Sequence, residues 1–198
     1  MIRIAVTGGI GSGKSYVCAL LEKKGFPVYY ADKESKRLTV ADDVIREGLV
    51  GLLGKEVYQN GELNKALLAD YLFAAPENAA KVNAVIHPRV KADFKNWVKR
   101  QEGKDLVILE SAILYESGFD DVVDVVVMVY APECLRIERA MERDHATESQ
   151  IRKRVAAQMN DEEKRNRADF VIVNDGMMAL DSQLDCLVEQ IKKSKYYQ

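Results

Sequence analysis

Residues 7–15 read Thr7-Gly8-Gly9-Ile10-Gly11-Ser12-Gly13-Lys14-Ser15. Inside them Gly8, Gly13, Lys14 and Ser15 complete the G-x-x-x-x-G-K-[ST] pattern of a phosphate loop, which predicts binding of a nucleoside triphosphate. The flanks agree. Residues 2–6, Ile-Arg-Ile-Ala-Val, read as a buried strand, and residues 16–23 read as the helix such a loop opens. Four glycines between positions 8 and 13 let the backbone take positive φ values and turn successive N–H groups toward one concavity. Gly9, Gly11, Ser12 and Gly13 are therefore expected to surround phosphate oxygens. Lys14 would add a full charge on the β- and γ-phosphates, and the Ser15 hydroxyl would ligate Mg²⁺.

Working outward, 198 residues with 47% hydrophobic content can bury one sizeable core. A net charge of -2 supplies no basic field, so a nucleic-acid partner is not expected. Cys18, Cys134 and Cys186 are odd in number and lack C-x-x-C spacing, and two histidines do not make a histidine-rich metal site. These features predict a cytoplasmic protein with reduced thiols. No leader and no apolar run of membrane-spanning length is read, so no membrane and no obligate protein partner are expected.

Five apolar runs read as strands: 2–6, 27–30, 106–109, 122–130 and 170–173. They are near-continuous rather than alternating, which predicts an α/β fold whose parallel sheet is covered by helices on both faces. Residues 33–102 form a predicted helical insertion, with helix starts after Asn64, at Pro76 and at His87-Pro88. Two charged helices are expected between the fourth and fifth strands, the second opening with the capping box Thr147-x-x-Gln150 and carrying Ile151, Val155 and Met159 on one face. This stretch reads as a lid.

Several polar residues fall where chemistry is done in such sheets. Asp32 follows the second strand, at the carboxyl edge near the loop, and reads either as a general base toward an acceptor hydroxyl or as a helix N-cap. Glu110 ends the third strand, where an acidic residue can lie near Mg²⁺ and its water; Glu116 is the alternative carboxylate. Arg136, Arg139 and Arg143 recur on one helix face. Like charges four apart cost a helix about 0.2–0.5 kcal/mol, so an anion between them would relieve a penalty. A solvated charged face is the other reading, and the phosphate loop favours the clamp. His87 alone reads as a cap or packed polar residue. Asn174-Asp175-Gly176 reads first as a turn and second as a place for adenine.

Taken together, residues 7–15, Ala31-Asp32, His87-Pro88, residues 139–144 and Ala168 to Ile172 followed by Asn174-Asp175-Gly176 resemble the dephospho-coenzyme A kinase family. The likeness spans nearly the whole chain. It implies transfer of the ATP γ-phosphoryl group to the ribose 3′-hydroxyl of dephospho-coenzyme A, with Mg²⁺. It implies one phosphate-loop kinase domain over 1–198: a five-stranded nucleotide-binding core (1–32, 103–131, 168–198), a helical coenzyme-binding insertion (33–102) and a lid (132–167). Asp32 matches the family's base, and His87 and Arg139 match positions for binding substrate or transferring phosphate; Glu110 is expected on the substrate side. Arg143, Tyr16, Asn174 and Gly176 join the expected ATP contacts. The chain departs from the family pattern twice. Tyr16 stands where Thr is usual, and Glu110-Ser111-Ala112-Ile113-Leu114-Tyr115-Glu116 lacks the usual proline. The rival readings are another small phosphate-loop kinase and a guanine-nucleotide switch. The second would need Asn-Lys-x-Asp and Asp-x-x-Gly motifs, and neither is present.

Overall fold

The computed structural model describes residues 1–193. In chain order they form β1 (Ile2–Thr7), α1 (Lys14–Lys23), β2 (Val28–Tyr30), α2 (Ala31–Ala41), α3 (Asp43–Leu53), β3 (Tyr58–Gln59), β4 (Glu62–Leu63), α4 (Lys65–Ala74) and α5 (Pro76–Lys99). There follow β5 (Leu106–Glu110), β6 (Val125–Tyr130), α6 (Glu133–Asp144), α7 (Glu148–Ala156), α8 (Asp161–Arg167), β7 (Phe170–Val173) and α9 (Leu180–Lys193). Among the described residues, 1–29 and those from 101 onward make one compact unit and residues 30–100 another.

The first unit is built on a five-stranded sheet of order β2-β5-β1-β6-β7. β1 pairs in parallel with β5 and β6, and β6 in parallel with β7. This is the α/β fold expected. All five residues of β5 and the first five of β6 are buried, as strands covered on both faces must be. Val17, Leu20 and Leu21 of α1 and Leu184, Leu187 and Ile191 of α9 supply covering apolar stripes at helical spacing. Burial also pushes the Cys18 thiol well above its usual range, with Glu110 adding to the shift, so Cys18 behaves as a small core hydrophobe. At the foot of β1, Arg3 donates from Nε to Asp124 at 2.9 Å and its backbone N–H to the same carboxylate at 2.8 Å, fixing the entry to β6.

In the second unit, Val82, Ile86, Val90 and Phe94 line one buried stripe of α5 across Pro88. The expected helix start at His87-Pro88 is therefore wrong: α5 runs unbroken from Pro76 to Lys99. A proline inside a helix removes one hydrogen bond, from the carbonyl four residues earlier. Pro88 and Ala84 both lie on the exposed side of the helix, so the missing bond falls on the solvent side, and the buried stripe on the other side outweighs the loss. α3 meets α5 closely enough that a methyl at Gly48 would sit 2.5 Å from Val85 Cγ1. Asn60 and Gly61 turn at φ 51° and 84° between β3 and β4, a hairpin that the helical reading of this stretch passed over. The starts of α4 at Asn64, which caps Leu67 N–H, and of α5 at Pro76 agree with the sequence.

Asp42 caps α3, accepting Ile45 N–H at 3.0 Å, and pairs with Arg89 of α5 at 2.8 Å. The Arg89 bonds, helped by backbone N–H groups, hold its carboxyl below the ordinary 3.8 against the opposing effect of burial. A depressed carboxylate contributes stability that is complete above its unfolded pKa and is lost as pH falls through the folded one. The urea midpoint should therefore drop as pH falls below about 4, and Asp42→Asn, which keeps the cap and loses the charge, should flatten that drop. Identical acid limbs in the two proteins would contradict this role.

Candidate active site

β1 delivers the chain into the loop, and Gly11 and Gly13 there adopt φ 78° and 93°. A side chain at either would cost roughly 1–2 kcal/mol from left-handed geometry alone. Gly13 is the N-cap of α1, and no side chain caps that helix, so the positive end of α1 and its first N–H groups belong to the loop. Lys14 is buried, and its ammonium donates to the carbonyls of Gly8 at 2.8 Å and Gly9 at 3.2 Å. Ser15 and Tyr16 are exposed on the first turn of α1. The Thr7 and Ser12 hydroxyls are buried without a hydrogen-bond partner among the described residues.

The loop is held by side chains far away in sequence. Asn174, which follows β7, donates from Nδ2 to the Ser12 carbonyl at 2.8 Å, and a methyl at Gly13 would sit 2.1 Å from that nitrogen. Its backbone N–H is held by the Tyr130 carbonyl at 2.8 Å, and its own carbonyl accepts Arg139 Nη1 at 2.9 Å. Asp175 accepts Met177 N–H at 2.8 Å and Gly176 has φ 86°, so the Asn-Asp-Gly stretch is a turn whose first side chain reaches the loop.

The three arginines of α6 do not make one anion face. Arg136 is 3% exposed and points inward, donating to the Ala131 carbonyl at 3.1 Å and the Ile10 carbonyl at 3.2 Å, and pairing with Asp161 at 2.9 Å. Arg139 is half-buried at the Asn174 turn. Arg143 is exposed and forks onto Asp144 at 2.7 and 3.0 Å. Asp144 also binds Arg154 of α7, and these two arginines, Arg143 first, bring its carboxyl down to about 2. Helical spacing set the positions of the three side chains. Their different depths against the core gave each its own protein partner.

Glu110 is buried at the carboxyl end of β5, beside Val6 in the ladder. Glu116 is engaged elsewhere, accepting Lys164 Nζ at 3.1 Å and Met159 N–H at 2.7 Å. Lys164 is fully buried and also donates to the Ala112 carbonyl at 2.8 Å. Asp161 and Lys164 belong to α8, a third helix of the expected lid that the sequence reading missed. Its signal was legible: Asn160 caps the helix and three acids follow in its first turn. The capping box at Thr147 and Gln150 is present, but α7 ends at Ala156, short of Met159.

In the second unit Asp32 is exposed, the second residue of α2, whose N-cap is Tyr30. The capping alternative for Asp32 is thereby removed. His87 is half-buried on α5, where burial, and then Lys91, lower its pKa.

The sequence model of the family described as dephospho-CoA kinase matches residues 2–179. A dephospho-CoA kinase of Bacteroides fragilis is 53% identical over 99% of this chain and 96% of its own length. That of Porphyromonas gingivalis is 39% identical over 98% and 96%. A crystal structure from Thermus thermophilus superposes with a TM-score of 0.83 at 34% identity, covering 96% of this chain and 97% of that one. With an intact phosphate loop and near-complete coverage of its relatives, the chain belongs to the dephospho-CoA kinase family.

Proposed function

We propose that the chain transfers the γ-phosphoryl group of ATP to the ribose 3′-hydroxyl of dephospho-coenzyme A, giving coenzyme A and ADP in the last step of coenzyme A synthesis. The observation that carries this is the full-length likeness to kinases of that name, joined to a loop with Lys14 buried at its centre. The 3′-oxygen attacks the γ-phosphorus as the bridging bond to the β-phosphate breaks, ADP leaves, and the hydroxyl proton passes to Asp32. Asp32 is exposed at the start of α2, able to meet a solute. His87 and Glu110 take the coenzyme side of the reaction.

On the donor side, the N–H groups of residues 9–13 and the end of α1 bind the phosphates, and the Lys14 ammonium leaves its loop carbonyls for the β- and γ-oxygens. Arg139 balances charge that develops on the transferred group. Asn174 and Gly176 border the base, while Tyr16 offers its phenol at the α-phosphate. Arg143 reaches ATP only by releasing Asp144. The exposed Ser15 hydroxyl is an oxygen donor of the kind Mg²⁺ takes; with ATP's own phosphate oxygens it would hold the ion, which would supply neutralisation of phosphate charge. Among the described residues no helix is long and apolar enough to cross a membrane, and the three cysteines are free thiols.

Asp32→Asn should retain ATP binding and lose about 10²-fold or more in turnover, measured by ADP release at saturating substrates. Near-normal turnover would remove Asp32 from the chemistry. Arg139→Ala should slow single-turnover phosphoryl transfer much more than it weakens ATP binding. An unchanged single-turnover rate would leave Arg139 only as the support of the Asn174 turn.

A further inference from the structure

The side of the phosphate loop that faces α6 and α8 rests on one ion pair. Arg136 Nη1 donates to the Ile10 carbonyl at 3.2 Å while Nη2 pairs with Asp161 Oδ2 at 2.9 Å. A methyl group at Gly9 would lie 2.2 Å from Arg136 Nη1 and 2.7 Å from Asp161 Oδ1. One at Gly11 would lie 2.0 Å from the Arg136 carbonyl oxygen. Three consecutive loop residues, Gly9, Ile10 and Gly11, thus lean on Arg136 and its partner. The arginine is 3% exposed and the aspartate side chain 14%, and a cavity of about 350 Å³ between α6 and α8 has both in its wall.

Charge placement gives the pair a second consequence. A buried carboxylate against Gly9 lies where the loop must receive a highly negative ligand. Asp161 feels the field of Lys14 as well as those of Arg136 and Lys164, all three favouring its charged form against a larger opposing effect of burial. Uncompensated, that carboxylate would repel phosphate and draw the Lys14 ammonium toward itself. Arg136 cancels it at 2.9 Å and is itself tied to the Ala131 and Ile10 carbonyls, so the cancelling charge cannot drift.

We infer that Arg136 and Asp161 are positioning residues for ATP: a charge-balanced brace whose neutrality, more than its bulk, sets the loop's affinity for nucleotide. The inference rests on ATP binding at this loop and is independent of which molecule accepts the phosphoryl group. Neither residue touches the reacting atoms in this account; both act through Gly9, Ile10 and Lys14.

Charge balance makes an uneven prediction. Arg136→Gln leaves the carboxylate uncompensated and should raise the Kd of a non-hydrolysable ATP analogue at least tenfold. Asp161→Asn leaves the arginine charge uncompensated and should lower that Kd. The double variant R136Q/D161N, neutral again, should return to within about threefold of the parent. Titration calorimetry on the full chain, without acceptor, reads all three. A brace that acts by packing alone damages binding in both single variants and still more in the double, and that pattern would overturn the inference. Should Arg136→Gln fail to fold, Asp161→Asn alone decides by the sign of its effect: tighter binding supports the inference, and weaker or unchanged binding overturns it. A parent that does not bind the analogue contradicts the nucleotide reading itself. A parent that binds, with opposite signs absent from the variants, contradicts only the brace.

Discussion

A loop made mostly of glycine has almost no side chains with which to hold its own shape, and everything at this site depends on that constraint. Gly11 and Gly13 adopt left-handed backbone that other residues take only at a cost. The freedom that permits this conformation also permits many others when the chain is unfolded. The loop is therefore fixed from outside. Asn174 grips the Ser12 carbonyl from the end of β7, and Arg136 grips the Ile10 carbonyl from α6. Both supports arise from segments more than a hundred residues downstream, which the parallel sheet brings back beside β1 through β6 and β7. A crossover fold is thus the means by which a local motif acquires a rigid frame.

Buried cations carry much of this frame. Lys14, Arg136 and Lys164 are at most 8% exposed, and each donates to backbone carbonyls, with Asp161 or Glu116 as counter-charges for the latter two. Burying a charge costs several kcal/mol before partners offset it, so such pairs add little net stability. What they add is direction. Lys164 ties α8 to the stretch after β5, and Arg136 ties α6 to the loop. The exposed pairs of neighbouring α7, such as Arg152 with Glu148, sit in screening solvent, add little, and leave the outer surface adaptable.

The sheet was legible because strands covered on both faces are apolar over most of their length, and β1, β5 and β6 are, with Arg3, Thr7 and Glu110 near strand ends as the exceptions. The phosphate loop was legible because few residue types satisfy its backbone geometry at that spacing. Three features were misread where a local signal lost to tertiary context or was passed over. Pro88 looks like a helix start, yet the stripe from Val82 to Phe94 carries α5 through it. Asn60-Gly61 is a strong turn signal that the helical reading of its neighbours obscured. The helix opened by Asn160 was lost in a charged run with little apolar periodicity, and with it the partner of Arg136. The three- and four-residue steps between Arg136, Arg139 and Arg143 did suggest a shared task, because sequence spacing gives direction around a helix but not depth against a core.

The proposed reaction runs from ATP on a loop braced in this way to the ribose hydroxyl of dephospho-coenzyme A. A coupled assay of ADP release, run on the purified chain with ATP, Mg²⁺ and a panel of acceptors, tests it most directly. Turnover should be highest with dephospho-coenzyme A and should yield coenzyme A in step with ADP. Equal or faster turnover with nucleoside monophosphates would contradict the account.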